Sequence, residues 1–134
     1  MKKGIITKEI GASPNADENK VGDYFADIGY DILFLAINKT LHHTSPDIEM
    51  CDKKWEIKTP KGNGKYTIEH VIQHASKQSK YIIIDLRQCK MPEAKALGKI
   101  QRESGLRKVI KTVLVITKSK DLLILKGKFG NMKT

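Results

Sequence analysis

Cysteine is scarce. Cys51 and Cys89 are the only two, far apart and outside any C-x-x-C pair. That argues against a structural zinc site and suits free thiols in a reducing compartment, with a single disulfide as the alternative. Long apolar runs are also missing: the longest, Ile32 to Ile37, falls far short of the ~20 residues a membrane helix needs. The opening Met1-Lys2-Lys3-Gly4 leads into no apolar stretch, so no secretory signal is expected. There is no internal repeat, no low-complexity tract and no Pro/Gly-rich linker. With 134 residues, the expectation is one domain over 1–134, with 1–12 and 127–134 as loose ends. Acid is short as well: 15 Asp and Glu stand against 25 Lys and Arg, a net charge of +10, and 22 of the cations are lysines. Such a surplus favours a polyanion partner, nucleic acid first and a membrane surface second. Charge alone does not separate a nuclease from a passive binder.

What is present is an ordered α/β pattern. Apolar residues make up 40% of the chain, enough to exclude wholesale disorder. Ser13-Pro14 reads as an N-cap followed by Pro at the first helical position, with Val21, Tyr24, Phe25 and Ile28 at helical spacing and Gly29 as the stop. Asp31 to Ile37 reads as a strand and Asn38 to Ser45 as a loop. Pro46 to Met50 and Trp55 to Thr59 read as two strands around a hairpin turn at Cys51 to Lys54. Thr67 is expected to cap a helix with Ile68, Val71, Ile72 and Ala75 on its apolar face. Tyr81 to Leu86 is nearly all aliphatic and predicts a central strand buried on both faces. Met91 to Lys108 predicts a helix interrupted near Gly98 or ending near Gly105, followed by strands at Val109 to Thr117 and Leu122 to Lys126. The order implies an α/β domain with one central mixed β-sheet flanked by helices.

One stretch carries chemistry. Asp47 opens one strand, and Glu56 and Lys58 lie two apart on the next, so the latter two project to the same side of the sheet. Trp55, Ile57 and Ile48 point the other way and read as core. Two carboxylates can hold a divalent ion through hard oxygen ligands, with water and a substrate phosphate completing the shell. A lysine beside them can orient the water or offset developing negative charge. Glu18 shares the packed face of the first helix and is the candidate third carboxylate, whereas Asp17 and Asp23 read as solvated. By itself E-x-K equally suits a surface ion pair. Pro46-Asp47 one hairpin upstream, the buried strand that follows and the basic charge turn the balance toward catalysis.

This arrangement resembles the PD-(D/E)XK nucleases: Pro46-Asp47, then Glu56-Ile57-Lys58, with a helix acid at Glu18. The flanks are more specific. Gly29-Tyr30-Asp31-Ile32, Ser45-Pro46-Asp47, Trp55 to Pro60, Lys77-Gln78-Ser79 and Ile83 to Arg87 look like the C-terminal tRNA-nuclease domain of CdiA-type contact-dependent growth inhibition toxins. The resemblance covers roughly Ala16 to Lys126. It implies a restriction-endonuclease-like core and a metal-dependent ribonuclease that cuts tRNA in the cytoplasm of a rival bacterium. An acidic immunity protein would block it at home. It places Glu18, Asp47, Glu56 and Lys58 at the catalytic positions, the three carboxylates at the metal (Mg²⁺, or Mn²⁺ or Zn²⁺), and Lys77 and Gln78 on a helix that reaches the site. The chain lacks any large delivery region, so it is expected to be either an excised toxin domain or a free-standing relative. A DNA endonuclease of the same fold and a non-catalytic nucleic-acid binder are the alternatives.

Other candidates are less specific. Lys61 and Lys65 flank Gly62-Asn63-Gly64 and suit either phosphate gripping or a solvated turn. His70 and His74 are four apart on one helix face, which suits a metal, a substrate groove or plain solvation. His42 and His43 sit in the predicted loop, and a histidine general base is the rival to the carboxylate mechanism. Asp85 and Arg87 end the buried strand and read as structural, paired with each other or with Lys58.

Overall fold

The computed structural model describes residues 2–37 and 45–130. It contains seven strands and three helices: β1 (Ile6–Lys8), α1 (Ala16–Asp27), β2 (Ile32–Phe34), β3 (Ile48–Met50), β4 (Lys53–Lys58), α2 (Thr67–Gln78), β5 (Tyr81–Asp85), α3 (Glu93–Leu106), β6 (Thr112–Ile116) and β7 (Leu122–Lys126). The strands form one mixed sheet in sequence order. β1 pairs parallel to β2, β4 to β5 and β5 to β6, while β3 and β7 run antiparallel to their neighbours. The predicted α/β class and mixed sheet are therefore observed. Among the described residues no helix is long and apolar enough to cross a membrane.

Two apolar layers sandwich the sheet. Val21 and Phe25 of α1 pack with Ile32, Phe34, Ile48, Trp55, Ile57 and Ile83 on one face. Ile68, Ile72 and Ala75 of α2, with Ala96 and Ile100 of α3, pack on Ile82, Ile84, Val113 and Val115 on the other. Alternate residues of β4 and β5 thus serve opposite layers, as the pleat requires. β5 is buried on both faces because helices cover both sides of it, as expected for its aliphatic run.

Several boundaries differ from the sequence reading. α1 starts at Ala16, not at Pro14, because Asn15 is the cap: its side chain accepts from the Glu18 N–H while the Glu18 carboxylate accepts from the Asn15 N–H. This reciprocal pair satisfies two helix-end donors at once, which Ser13-Pro14 would not. Thr67 is the first helical residue of α2 and Tyr66 the cap position, without a side-chain cap bond. α3 runs unbroken through Gly98, whose α-carbon faces open space. Cys51 and Asp52 form the β3–β4 turn with φ of 54° and 62°, the left-handed pair of a two-residue hairpin that matches strand twist.

Both ends carry structure beyond the loose segments expected. β1 adds a parallel edge strand, anchored where the Gly4 N–H donates to the Ala26 carbonyl. Any Cβ at Gly4 would lie 2.0 Å from the Tyr30 carbonyl oxygen, so only glycine permits that close approach. Phe129 is 3% exposed and packs edge-on to Phe25 and Trp55, closing the α1-side core.

Candidate active site

Asp47 is held at three points just before β3. Its N–H donates to the Trp55 carbonyl, its carbonyl accepts from the Leu35 N–H, and its carboxylate Oδ2 accepts from the Ile57 N–H at 2.7 Å. The side chain thus gives the Ile57 N–H an acceptor beyond the point where the β3–β4 pairing ends at Ile48 and Trp55. Glu56, one residue earlier than Ile57 on β4, pairs with Ile82, and Lys58 pairs with Ile84. Both therefore lie on the α2-side face, opposite Trp55 and Ile57, as their spacing predicts. Lys58 Nζ lies 3.2 Å from Glu56 Oε2. Glu18, in the first turn of α1, reaches the same place from the other layer, past the ends of β2 and β3, where Phe34, Leu35, Pro46 and Asp47 line a small cleft with it.

The structure thus brings together Glu18, Asp47, Glu56 and Lys58. Their electrostatics are strained. Burial pushes the Asp47 carboxyl up to about 6, reinforced by the neighbouring Glu56 charge. Burial also raises Glu18 and Glu56; Lys58 pulls both back in part. Glu56 is only 6% exposed, and its Oε1 is buried with no hydrogen-bond partner. The adjacent Asp47 carboxyl can bond to Glu56 only when one of the two carries a proton. With all ionised, three carboxylates face one ammonium and leave two negative charges uncompensated in a protein that is otherwise strongly cationic.

An orphaned buried carboxylate oxygen and two surplus charges are what a divalent cation would satisfy. The donor set is all oxygen, which suits a hard ion such as Mg²⁺. Among the described residues no three His, Cys, Asp or Glu side chains form a ready-made metal cage. One Asp47 oxygen is committed to Ile57 and one Glu18 oxygen to Asn15. A cation here would take most of its ligands from water and substrate, as Mg²⁺ commonly does.

The other predicted residues are not gathered at this point. Lys61 is paired with Asp17 at 2.9 Å, and Gln88 donates to the same carboxylate. Asp17 is thus bonded, against the expectation of a solvated acid, and those contacts hold its carboxyl below the usual range. Lys65 sits over the Tyr66 ring, 5.5 Å from its centroid. Lys77, His70 and His74 are exposed on α2, where His70 stacks on Tyr66. Gln78 Oε1 accepts from the Ser45 N–H at 3.3 Å and so tethers the segment leading into Pro46-Asp47. His42 and His43 lie outside the described residues. Asp85 and Arg87 pair with each other and not with Lys58, in a two-pronged bond at 2.9 Å on each prong. Arg87 also donates to the Lys20 carbonyl and lies over Tyr24, fastening α1 to β5.

One contributor is not among the residues singled out from the sequence: Asn15, three residues before Glu18, whose capping-box spacing is legible there.

Comparison with known proteins gives this geometry a family. Residues 44–122 match the contact-dependent growth inhibition CdiA C-terminal domain, and the chain belongs to that family. The match takes in Asp47, Glu56 and Lys58. Among solved structures, the chain is similar to one from a CdiA-CT/CdiI toxin and immunity complex from Burkholderia pseudomallei, with a TM-score of 0.62 at 16% identity, over 92% of this chain and 99% of that one. At that identity the likeness speaks for the fold. None of the curated proteins matches this chain in sequence.

Proposed function

We propose that this CdiA C-terminal toxin domain is a metal-dependent endoribonuclease of the PD-(D/E)XK type, acting on tRNA in the cytoplasm of a target bacterium. The observation that carries the reading is the convergence of Glu18, Asp47 and Glu56 from two layers of the fold, with Glu56 Oε1 buried and unpartnered and Lys58 3.2 Å from the other oxygen. A structural ion pair would not gather three carboxylates whose charges oppose one another. Family membership and the net charge of +10 agree with a toxin that meets a polyanion.

Glu56 and Asp47 would hold the cation, with Glu18 completing the acidic side. When bound, a divalent ion, expected to be Mg²⁺ with Mn²⁺ or Zn²⁺ as alternatives, offsets phosphate charge and makes water more acidic. Asp47 is fixed by three backbone-level bonds, so it presents its free oxygen in one place. Lys58, aligned by Glu56, places an ammonium where the scissile phosphate gains negative charge. Gln78 steadies the segment that carries Pro46-Asp47. The B. pseudomallei relative is a toxin in complex with an immunity protein. For this basic chain we expect a partner with an acidic face.

The test is cleavage of total tRNA and of plasmid DNA with Mg²⁺, with Mn²⁺ and with EDTA. Wild type is compared with Asp47→Ala, Glu56→Gln and Lys58→Ala. Discrete tRNA fragments that need metal and fall by about 10²-fold or more in each variant are expected. Metal-dependent DNA nicking without tRNA cleavage would move the protein to the DNA-endonuclease reading. Cutting that persists in EDTA and in Asp47→Ala would end the carboxylate mechanism.

A further inference from the structure

A second feature lies at the opposite end of the same strands. Trp55, Tyr81 and Thr112 are register partners across β4, β5 and β6. Beside them opens a pocket of about 330 Å³, bounded by Phe129, Gly127 and Gly130. Its rim carries Lys53, Lys80, Lys111 and Lys128, and no carboxylate lines it. All four lysines are exposed. Among the described residues none of them is ion-paired with an acid, in contrast to Lys58 and Lys61. Lys53 instead stands 5.4 Å from the centre of the Tyr81 ring.

The pocket is built by backbone choices as well as side chains. Gly127 has φ of +77°, and a Cβ there would lie 2.3 Å from the Lys111 carbonyl oxygen. Glycine therefore lets the chain after β7 fold in against the start of β6 and bring Lys128 to the rim. The Lys111 and Thr112 N–H groups both donate to the Lys80 carbonyl, which fixes Lys80 and Lys111 on one ledge. Four like charges converging on a concave site repel one another and favour an anion between them. A Tyr face beside lysines at a pocket of nucleotide size adds a surface for a base.

We propose that this pocket is a nucleic-acid site that holds one phosphate-bearing nucleotide of an RNA strand, separate from the carboxylate site. The RNA identity rests on the ribonuclease reading; the anion site does not. Lys53 and Lys58 are five residues apart on β4, a span of about 17 Å at strand rise. The pocket therefore contacts substrate well away from the scissile phosphate. It contributes to affinity and not to the chemical step.

The experiment measures binding of a labelled 20-nucleotide single-stranded RNA, in EDTA, to the Glu56→Gln protein, over a range of salt concentrations. It compares Lys80→Ala/Lys111→Ala with a charge-matched control, Lys95→Ala/Lys108→Ala, whose lysines are exposed on or just past α3. Thermal melts confirm that each variant folds. The pocket pair is expected to bind at least tenfold more weakly and to lower the slope of log K against log salt by about 0.7, the one phosphate contact assigned to the pocket. The control pair should change both by far less. In the cleavage assay the pocket pair should raise KM with kcat unchanged. Equal losses in the two pairs, or unchanged binding in the pocket pair, would overturn the site. So would loss of binding to an acidic immunity protein with RNA binding intact. Weakened RNA binding in a protein that cuts no RNA would uphold the anion site and remove the ribonuclease reading.

Discussion

Removing a negative charge from the carboxylate cluster should make the protein more stable, and the effect should vanish in acid. The perturbation is Asp47→Asn. Asn keeps an oxygen to accept the Ile57 N–H, so the bond at 2.7 Å survives. What disappears is a buried charge beside Glu18 and Glu56. The Asp47 carboxyl sits at about 6 in the folded protein against an ordinary 3.8. The folded state therefore holds its proton more tightly than the unfolded chain does. Between those two values stability falls as pH rises, and above about 6 the full penalty is present. The difference corresponds to roughly 2–3 kcal/mol at neutral pH. Glu18 and Glu56 are raised too and act with the same sign. In EDTA at pH 7.5, Asp47→Asn should gain on the order of 2 kcal/mol in urea denaturation, or about 6–10 °C in Tm. At pH 3 the gain should shrink toward zero, because that is below the ordinary value of 3.8 and the carboxyl is then neutral in the folded and the unfolded chain alike. A variant less stable than wild type at pH 7.5, or one offset equally at both pH values, would refute the reasoning.

Three further outcomes follow from particular contacts. Arg87→Ala leaves Asp85, fully buried, without its two-pronged partner; urea denaturation should show a loss of about 3–5 kcal/mol, and a loss below 1 kcal/mol would show that Asp85 is not held as a charge. Phe129→Ala should cost about 3–5 kcal/mol by emptying the space between Phe25 and Trp55, whereas a neutral result would make 127–130 a dispensable tail. Cys51→Asn relieves a left-handed position that suits Asn and should raise stability by about 0.5–1 kcal/mol in a thermal melt; destabilisation would contradict the turn geometry.

The legible parts of this fold were those with a strong local period. The aliphatic run Ile82-Ile83-Ile84 and the alternation through Trp55-Glu56-Ile57-Lys58 had one interpretation each, and the strands lie where that placed them. β1 was not legible because its three residues are all exposed and they pair with β2, a neighbour 26 positions along the chain. Phe129 was hidden for the same reason: a single aromatic among Gly and Lys has no periodicity, and only the return of the chain past β7 buries it. The Asp17–Lys61 pair joins residues that share no element. Lysines that look alike in sequence are separated only by their surroundings: Lys58 faces Glu56, Lys61 pairs with Asp17, and Lys80 and Lys111 line a pocket with no acid partner among the described residues.

Glu18 shows why fold and candidate site cannot be varied independently here. One of its carboxylate oxygens accepts from the Asn15 N–H and so helps start α1. The carboxylate that begins the helix is also the one brought against Asp47. Had α1 started at Pro14, as its proline suggests, Glu18 would sit inside the helix, away from the free N–H groups of the first turn, and its carboxylate would lose the Asn15 N–H that holds it. The capping box therefore fixes the helix start and one side of the site through one residue. It also lets a raised, partly buried carboxyl persist, since the hydrogen bond from the Asn15 N–H and the positive end of the helix offset part of its desolvation. The opposing charges of Glu18, Asp47 and Glu56 weaken the fold on their own account. Their retention on two separate layers is explained if a cation is expected between them, which is the physical content of the nuclease reading.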